Sequence, residues 1–220
     1  FSRGETQGLS LVTLGTTDDT QTFDAYTGGP SEKRFMLHYN FPNFSVGETG
    51  RIMGPGRREI GHGALAERSI APVIPSLEDF PYAVRVTSEI MESNGSTSMA
   101  AICSGTLALL DAGVPLKRPV AGISIGLCTR ERINDTTESK EIEAYKLLTD
   151  IIGWEDAFCD MDCKIAGTEQ GITGFQLDLK LQGIPHYIME EAIAKSKTAR
   201  TAILSNMGGC LDKEREEMSP

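Results

Sequence analysis

Val84, Val86, Ser88 and Ile90 fall on alternate positions, and so do Phe175, Leu177, Leu179 and Leu181, with Gln176, Asp178 and Lys180 between them. Alternation is strand spacing, because successive side chains of a strand point to opposite faces. The second run predicts a half-buried strand with its apolar residues turned inward. Stretches rich in β-formers predict further strands over Gly8–Leu14, Phe35–Phe41, Val120–Leu127, Tyr145–Ile152 and Met161–Ala166. Helix spacing of three to four appears over 57–74 (Ile60, Ala64, Leu65, Ala71) and 185–207 (Ile188, Ala192, Ala199, Ile203). Pro185 at the first turn and Gly208-Gly209 past the end bracket that last helix. A helix of small residues is expected over Met99–Ala112, stopped by Gly113 and Pro115.

Between these elements, 16–34 (with Gly28-Gly29-Pro30), 47–56 and 75–81 read as connections. The charged stretch 129–143 lacks apolar spacing and reads as an exposed hairpin loop. There is no linker in mid-chain and no internal repeat. The expectation is one α/β (α+β) domain over 1–209, a mixed β-sheet with flanking helices. A charged tail, 210–220, is expected to be solvated and disordered.

Composition narrows the function classes. A chain of 220 residues, 40% apolar, can bury a real core. No apolar run approaches the ~18–20 residues of a membrane helix, so no membrane partner is expected. The net charge of -10 excludes bulk electrostatic binding of nucleic acid; contact with RNA would need a local Arg cluster. Five scattered cysteines make no disulfide framework, which points to a reducing compartment. Cys159 and Cys163 flank two Asp, but no further Cys/His pair follows to complete a zinc set. Phe1 rather than Met at the start is expected of a piece of a larger protein.

Three clusters carry chemistry. The first, Ser93-Asn-Gly-Ser-Thr-Ser98, lies between a predicted strand and a predicted helix. A helix N-terminus offers free N–H groups and positive dipole to an anion, and the hydroxyls of Ser96, Thr97 and Ser98 add donors. Plain N-capping is the alternative reading. The second is Asp156 with Asp160-Met-Asp162-Cys-Lys164. Period two puts Asp160, Asp162 and Lys164 on one face. Clustered oxygen ligands suit Mg²⁺ or Mn²⁺, and a solvated ion pair is the alternative. The third is Arg57-Arg58-Glu-Ile-Gly-His62. Arg58 and His62 share a helix face and could grip a phosphodiester; salt bridges to Glu59 or Glu67 are the alternative. His38, inside an apolar strand, reads as a core residue, Cys103 likewise, and His186 as surface.

Longer stretches carry these clusters: FSRGETQ at 1–7, FMLHYNFPNFSVGETGR at 35–51, GRREIGHGALAER at 56–68, VTSEIMESNGSTSMA at 86–100, DAGVPLKRPVAGIS at 111–124 and DMDCKIAGTEQGIT at 160–173. In this order, they resemble the second RNase PH-type domain of the polynucleotide phosphorylase family, nearly end to end. The resemblance implies a phosphate-dependent 3′→5′ exoribonuclease that releases nucleoside diphosphates and can run in reverse. It implies inorganic phosphate as co-substrate at Ser96, Thr97 and Ser98. It implies catalytic and metal-linked roles for Asp156, Asp162 and Lys164, with Mg²⁺ (or Mn²⁺) at Asp156 and Asp162. Arg57, Arg58 and His62 would face RNA and phosphate. The implied partners are an RNA 3′ end and a homotrimer with a companion RNase PH-type domain. The implied location is the cytoplasm, with mitochondrion and plastid as alternatives. Thr97 stands where the family often has Ser and keeps the hydroxyl. Cys163 replaces a usual Phe and should face away from the site. A non-catalytic RNA-binding ring subunit of the same fold and a metal-dependent hydrolytic nuclease are the rival readings. A small-molecule kinase would lack a readable base site.

Overall fold

The computed structural model describes residues 1–22, 32–51, 54–133 and 140–218. Instead of one sheet, it contains two four-stranded sheets. The first is mixed. Strands β1 (Ser2–Arg3), β2 (Thr6–Gly15), β5 (Phe35–Asn40) and β6 (Ala83–Glu92) lie in the order β1-β2-β6-β5, with only the β5–β6 pair parallel. A small ladder, β3 (Gln21–Thr22) with β4 (Glu32–Lys33), stands apart; Gly28-Gly29-Pro30 lies outside the described residues. The second sheet is antiparallel. It comprises β7 (Ala121–Ile133), β8 (Lys140–Thr149), β9 (Met161–Gly167) and β10 (Ile172–Leu179), in the order β10-β9-β7-β8.

Helix α1 (Arg57–Ile70) packs on β5 and β10, and α2 (Thr97–Asp111) lies between β2 and β7. Helix α2 is apolar nearly all round because it is the shared wall of the two sheets. Met99, Ile102 and Leu109 on it are fully buried. Helix α4 (His186–Cys210) covers the other face of the second sheet, with Ile188 and Ala192 against Ile123, Ile125, Met161, Cys163 and Ile165. A six-residue helix, α3 (Gly153–Phe158), joins β8 to β9.

Several expectations need correction. The charged stretch 129–143 is largely paired: β7 runs to Ile133 and β8 starts at Lys140, with the tip, 134–139, outside the described residues. Backbone pairing in an antiparallel ladder does not need apolar side chains, so the charged sequence carried no strand signal. The inner face of α1 is not Ile60, Ala64 and Ala71, which are exposed, but Gly63, Ala66, Ser69 and Ile70 with Leu65. Small residues are needed there: a Cβ on Gly63 would already lie 3.4 Å from that of Tyr39. In β10, Phe175 and Leu177 are exposed at 45% and 36% although they share the α4 face of the sheet, because β10 is an edge strand and only Leu179 reaches the core. His38 is exposed on β5, whereas His186 is at the surface and Cys103 in the core as expected. Arg215, in the charged tail, lies against the end of α2. The Arg215 N–H donates to Leu110 O, and its guanidinium pairs with Asp111 at 2.8 Å. Among the described residues no helix is long and apolar enough to cross a membrane.

Candidate active site

A cavity of about 440 Å³ opens where the two sheets meet. Seven of the nine residues singled out from the sequence line it: Arg58, His62, Ser96, Thr97, Asp156, Asp162 and Lys164. They come from four separate segments, α1, the start of α2, α3 and β9. Arg57 instead points to solvent at the start of α1, and Ser98 is buried behind the wall.

The phosphate-type wall follows from where α2 begins. The helix starts at Thr97, two residues earlier than expected, which makes Ser96 the N-cap. The Ser96 hydroxyl makes no capping bond, so capping does not account for it. The buried hydroxyls of Ser96 and Ser98 have no protein partner. Buried hydroxyls are normally satisfied; Ser98 does not reach the cavity, but the exception at Ser96, on the cavity at the start of a 15-residue helix, favours an anion as the partner. Gly95, at φ 145, takes a backbone shape that other residues rarely adopt; a Cβ there would meet Ile151 O at 3.1 Å. The Thr97 hydroxyl is held 2.5 Å from the Tyr39 phenol, whose pKa burial pushes up to about 12.

The basic side comes from α1. Glu59 accepts from the N–H groups of Gly56 and Phe41, and Glu67 pairs with Lys33. Both carboxylates are thus engaged elsewhere. Among the described residues neither Arg57 nor Arg58 forms an ion pair. Arg58 lies over the Phe41 ring, 5.5 Å from its centroid, a cation–π contact that steadies an otherwise free guanidinium. His62 packs edge-on against Tyr39 at 5.3 Å, and its buried Nδ1 has no partner. Burial, then the charges of Lys164 and Arg58, push its pKa down to about 4, so the imidazole is neutral at pH 7.

The acidic wall is built on β9. Asp162 and Lys164 face the cavity, while Met161, Cys163 and Ile165 face the α4 core, so Cys163 does turn away from the site. Lys164 Nζ lies 3.0 Å from Asp162 Oδ2, and Asp162 Oδ1 is buried without a partner. Burial raises the Asp162 pKa, Lys164 opposes the rise, and Asp156 and Asp178 add to it. Asp156 is exposed on α3 at the cavity rim. Asp160 does not belong to the wall: its Oδ2 accepts from the Thr129 N–H and hydroxyl at 2.7 and 2.8 Å. Among the described residues no three Asp, Glu, His or Cys side chains converge as a metal set.

Sequence reasoning missed the braces. Arg3, nearly buried, pairs with Asp150 at 2.9 Å and donates to Gly122 O and Ser96 O, both at 3.0 Å. Asp150 adopts a left-handed φ of 61°, and its N–H donates to Ser124 O. The Asn94 side chain accepts from Gly153 N–H at 3.0 Å, tying the Ser-rich turn to the start of α3. A charged residue beside a short turn, as in Ser2-Arg3-Gly4, gives no periodic signal.

Residues 1–115 match the family model described as the 3′ exoribonuclease family, domain 1 (RNase PH). The chain is 60% identical over 220 residues to the polyribonucleotide nucleotidyltransferase of Akkermansia muciniphila, covering 100% of this chain and 30% of that protein. It is 55% identical over 219 residues to the protein of the same name from Bacillus subtilis, covering 29% of it. The chain therefore spans about 30% of the length of the curated relatives it matches. The crystal structure of rice (Oryza sativa) Rrp46 superposes with a TM-score of 0.69 over 96% of this chain and 86% of that one. At 17% identity, that likeness speaks for the fold alone. With the model spanning more than half of its residues, the chain belongs to the RNase PH 3′ exoribonuclease family.

Proposed function

We propose that the chain is the catalytic RNase PH-type domain of a phosphate-dependent 3′→5′ exoribonuclease, a polyribonucleotide nucleotidyltransferase that releases nucleoside diphosphates. One observation carries this reading: the partnerless Ser96 hydroxyl at a helix start faces an Asp–Lys pair and Arg58 across one cavity. Hydrolysis with water would leave that hydroxyl without a task.

Inorganic phosphate sits at Ser96 and Thr97, held by hydroxyls and the α2 N-terminus. One of its oxygens attacks the terminal phosphodiester, and the bond to the 3′ oxygen of the preceding nucleotide breaks. Arg58 neutralises charge on the transferring group, and neutral His62 donates a hydrogen bond without adding charge. Asp162, ion-paired with Lys164 at 3.0 Å, faces the transferring group from the acidic wall. Asp156 and Asp162 fit Mg²⁺ better than zinc. Two carboxylates suffice for an ion that keeps waters and takes phosphate oxygens, and the partnerless Asp162 Oδ1 is a ready donor. When bound, the ion supplies charge neutralisation at the phosphates.

The share of the relatives that this chain spans supports work beside a companion RNase PH-type domain; the trimer rests on the family resemblance alone. Five free cysteines support a reducing compartment such as the cytoplasm. The test is incubation of the protein with 3′-hydroxyl RNA, Mg²⁺ and phosphate. Diphosphates forming in proportion to phosphate are expected. Monophosphates, or indifference to phosphate, would point to a hydrolytic nuclease instead.

A further inference from the structure

We propose that Cys128 and Cys159 form a disulfide-exchange site, and that its oxidation by a small-molecule disulfide ties α3 to β7 and lowers the activity of the cavity. The two Sγ atoms are 3.5 Å apart. Neither residue lines the cavity. Cys128 is half-buried on β7, while Cys159 is 1% exposed and is the residue at which α3 ends.

The surroundings hold the thiols face to face. Asp160, the neighbour of Cys159, donates its N–H to Leu127 O at 2.7 Å and accepts from the Thr129 N–H at 2.7 Å. The backbone is thus clamped on both sides of Cys128. Gly126 leaves room for the buried thiol: a Cβ there would lie 2.8 Å from Cys159 Sγ.

Exposure sets the order of events. The Cys128 thiolate attacks one sulfur of the small disulfide and expels the first small thiolate, giving a mixed disulfide. Cys159 then gives up its proton, attacks the Cys128 sulfur and expels the second. Two cysteine thiols are oxidised and one disulfide is reduced to two small thiols, with the two protons passing to them. Burial, and then the bond to Cys128, push the Cys159 thiol up to about 12, which suits it to the second step and not the first.

The bond connects to the cavity through α3. A disulfide is about 2.0 Å long, so the sulfurs must close by roughly 1.5 Å. Cys159 N–H donates to Glu155 O at 2.7 Å, and Asp156 sits one turn before Cys159 on the cavity rim. A shift of about 1 Å in a reacting group costs up to about a hundredfold in rate. In a reducing compartment the pair stays open, and a rise in disulfide closes it.

The effect on rate rests on the phosphorolytic reading above; the cross-link does not. The experiment treats the protein, in a Cys210→Ser background that removes the exposed thiol, with oxidised glutathione. Peptide mapping without reductant and the phosphorolysis rate are followed together. We expect a Cys128–Cys159 peptide two hydrogens lighter than its parts. We expect at least a tenfold fall in rate, reversed by dithiothreitol and absent in Cys128→Ser. Cys159→Ala, which keeps the first thiol, should stop at the glutathione adduct. Glutathione adducts without the cross-link would overturn the site. A cross-link with an unchanged rate would overturn its coupling to the cavity. A reduced protein that forms no diphosphate would overturn the phosphorolytic reading while leaving the cross-link to stand.

Discussion

The two walls of the cavity are made on opposite principles. The α2 wall has no formal charge: it offers hydroxyls and a helix start, all nearly buried. The β9–α3 wall is charged, with an Asp–Lys pair about one-eighth exposed and a third charge, Asp156, in solvent. A neutral wall can hold an anion without raising its affinity for every other anion in solution, because dipoles act only at short range. A charged wall must instead be balanced, or one member gives up its charge; Lys164 supplies that balance for Asp162. On the proposed phosphorolytic reading, the difference gives ground-state binding to one wall and charge handling during reaction to the other.

The largest test of that division is Asp162→Asn. It leaves Lys164 without its counter-charge and should lower the phosphorolysis rate by about a thousandfold, with little change in phosphate KM. A fall smaller than tenfold would break the comparison. Gly126→Ala comes next. Its methyl would meet Ile151 Cγ2 at 2.6 Å as well as Cys159, so about 1–3 kcal/mol of stability should be lost in chemical denaturation. Thr97→Val removes the hydroxyl shared with Tyr39 and should raise phosphate KM about tenfold while kcat changes less. That is the reverse split to Asp162→Asn.

A further test concerns His62. Its pKa of about 4 in the fold lies below the ordinary value of 6.5, so the unfolded chain binds the proton first. The stability contribution is therefore present above pH 6.5 and lost as pH falls toward 4. From pH 7 to pH 5 that loss is about 1–2 kcal/mol, and His62→Gln should remove it from the pH dependence of the denaturation midpoint.

Much of the α2 wall was legible because a strand, a polar turn and a small-residue helix each announce themselves by composition. Asp162 and Lys164 were legible by period two. Helix α3, which carries Asp156, was not. It is six residues long and its Trp154 and Phe158 are 74% and 76% exposed, so it has no inward apolar stripe to read. The alternation of Phe175 and Leu177 misled for the same reason in reverse: periodicity reports which residues share a face, and not whether anything covers it. Tyr39 was hidden inside an apolar strand, where nothing marks its phenol as the partner of Thr97.

Arg3 sets an order on folding. Its guanidinium holds Ser96 O, but also Gly122 O, 119 residues away, and Asp150 beyond that. The β2–β6 ladder can zip as soon as residue 92 exists, whereas the anchor of the phosphate wall needs the second sheet as far as Asp150. Contacts of such long range form late, and during synthesis the N-terminal half must wait for them. The chain can therefore hold most of its first sheet before the proposed phosphate wall is anchored, and on that reading binding competence arrives as one of the last events of folding.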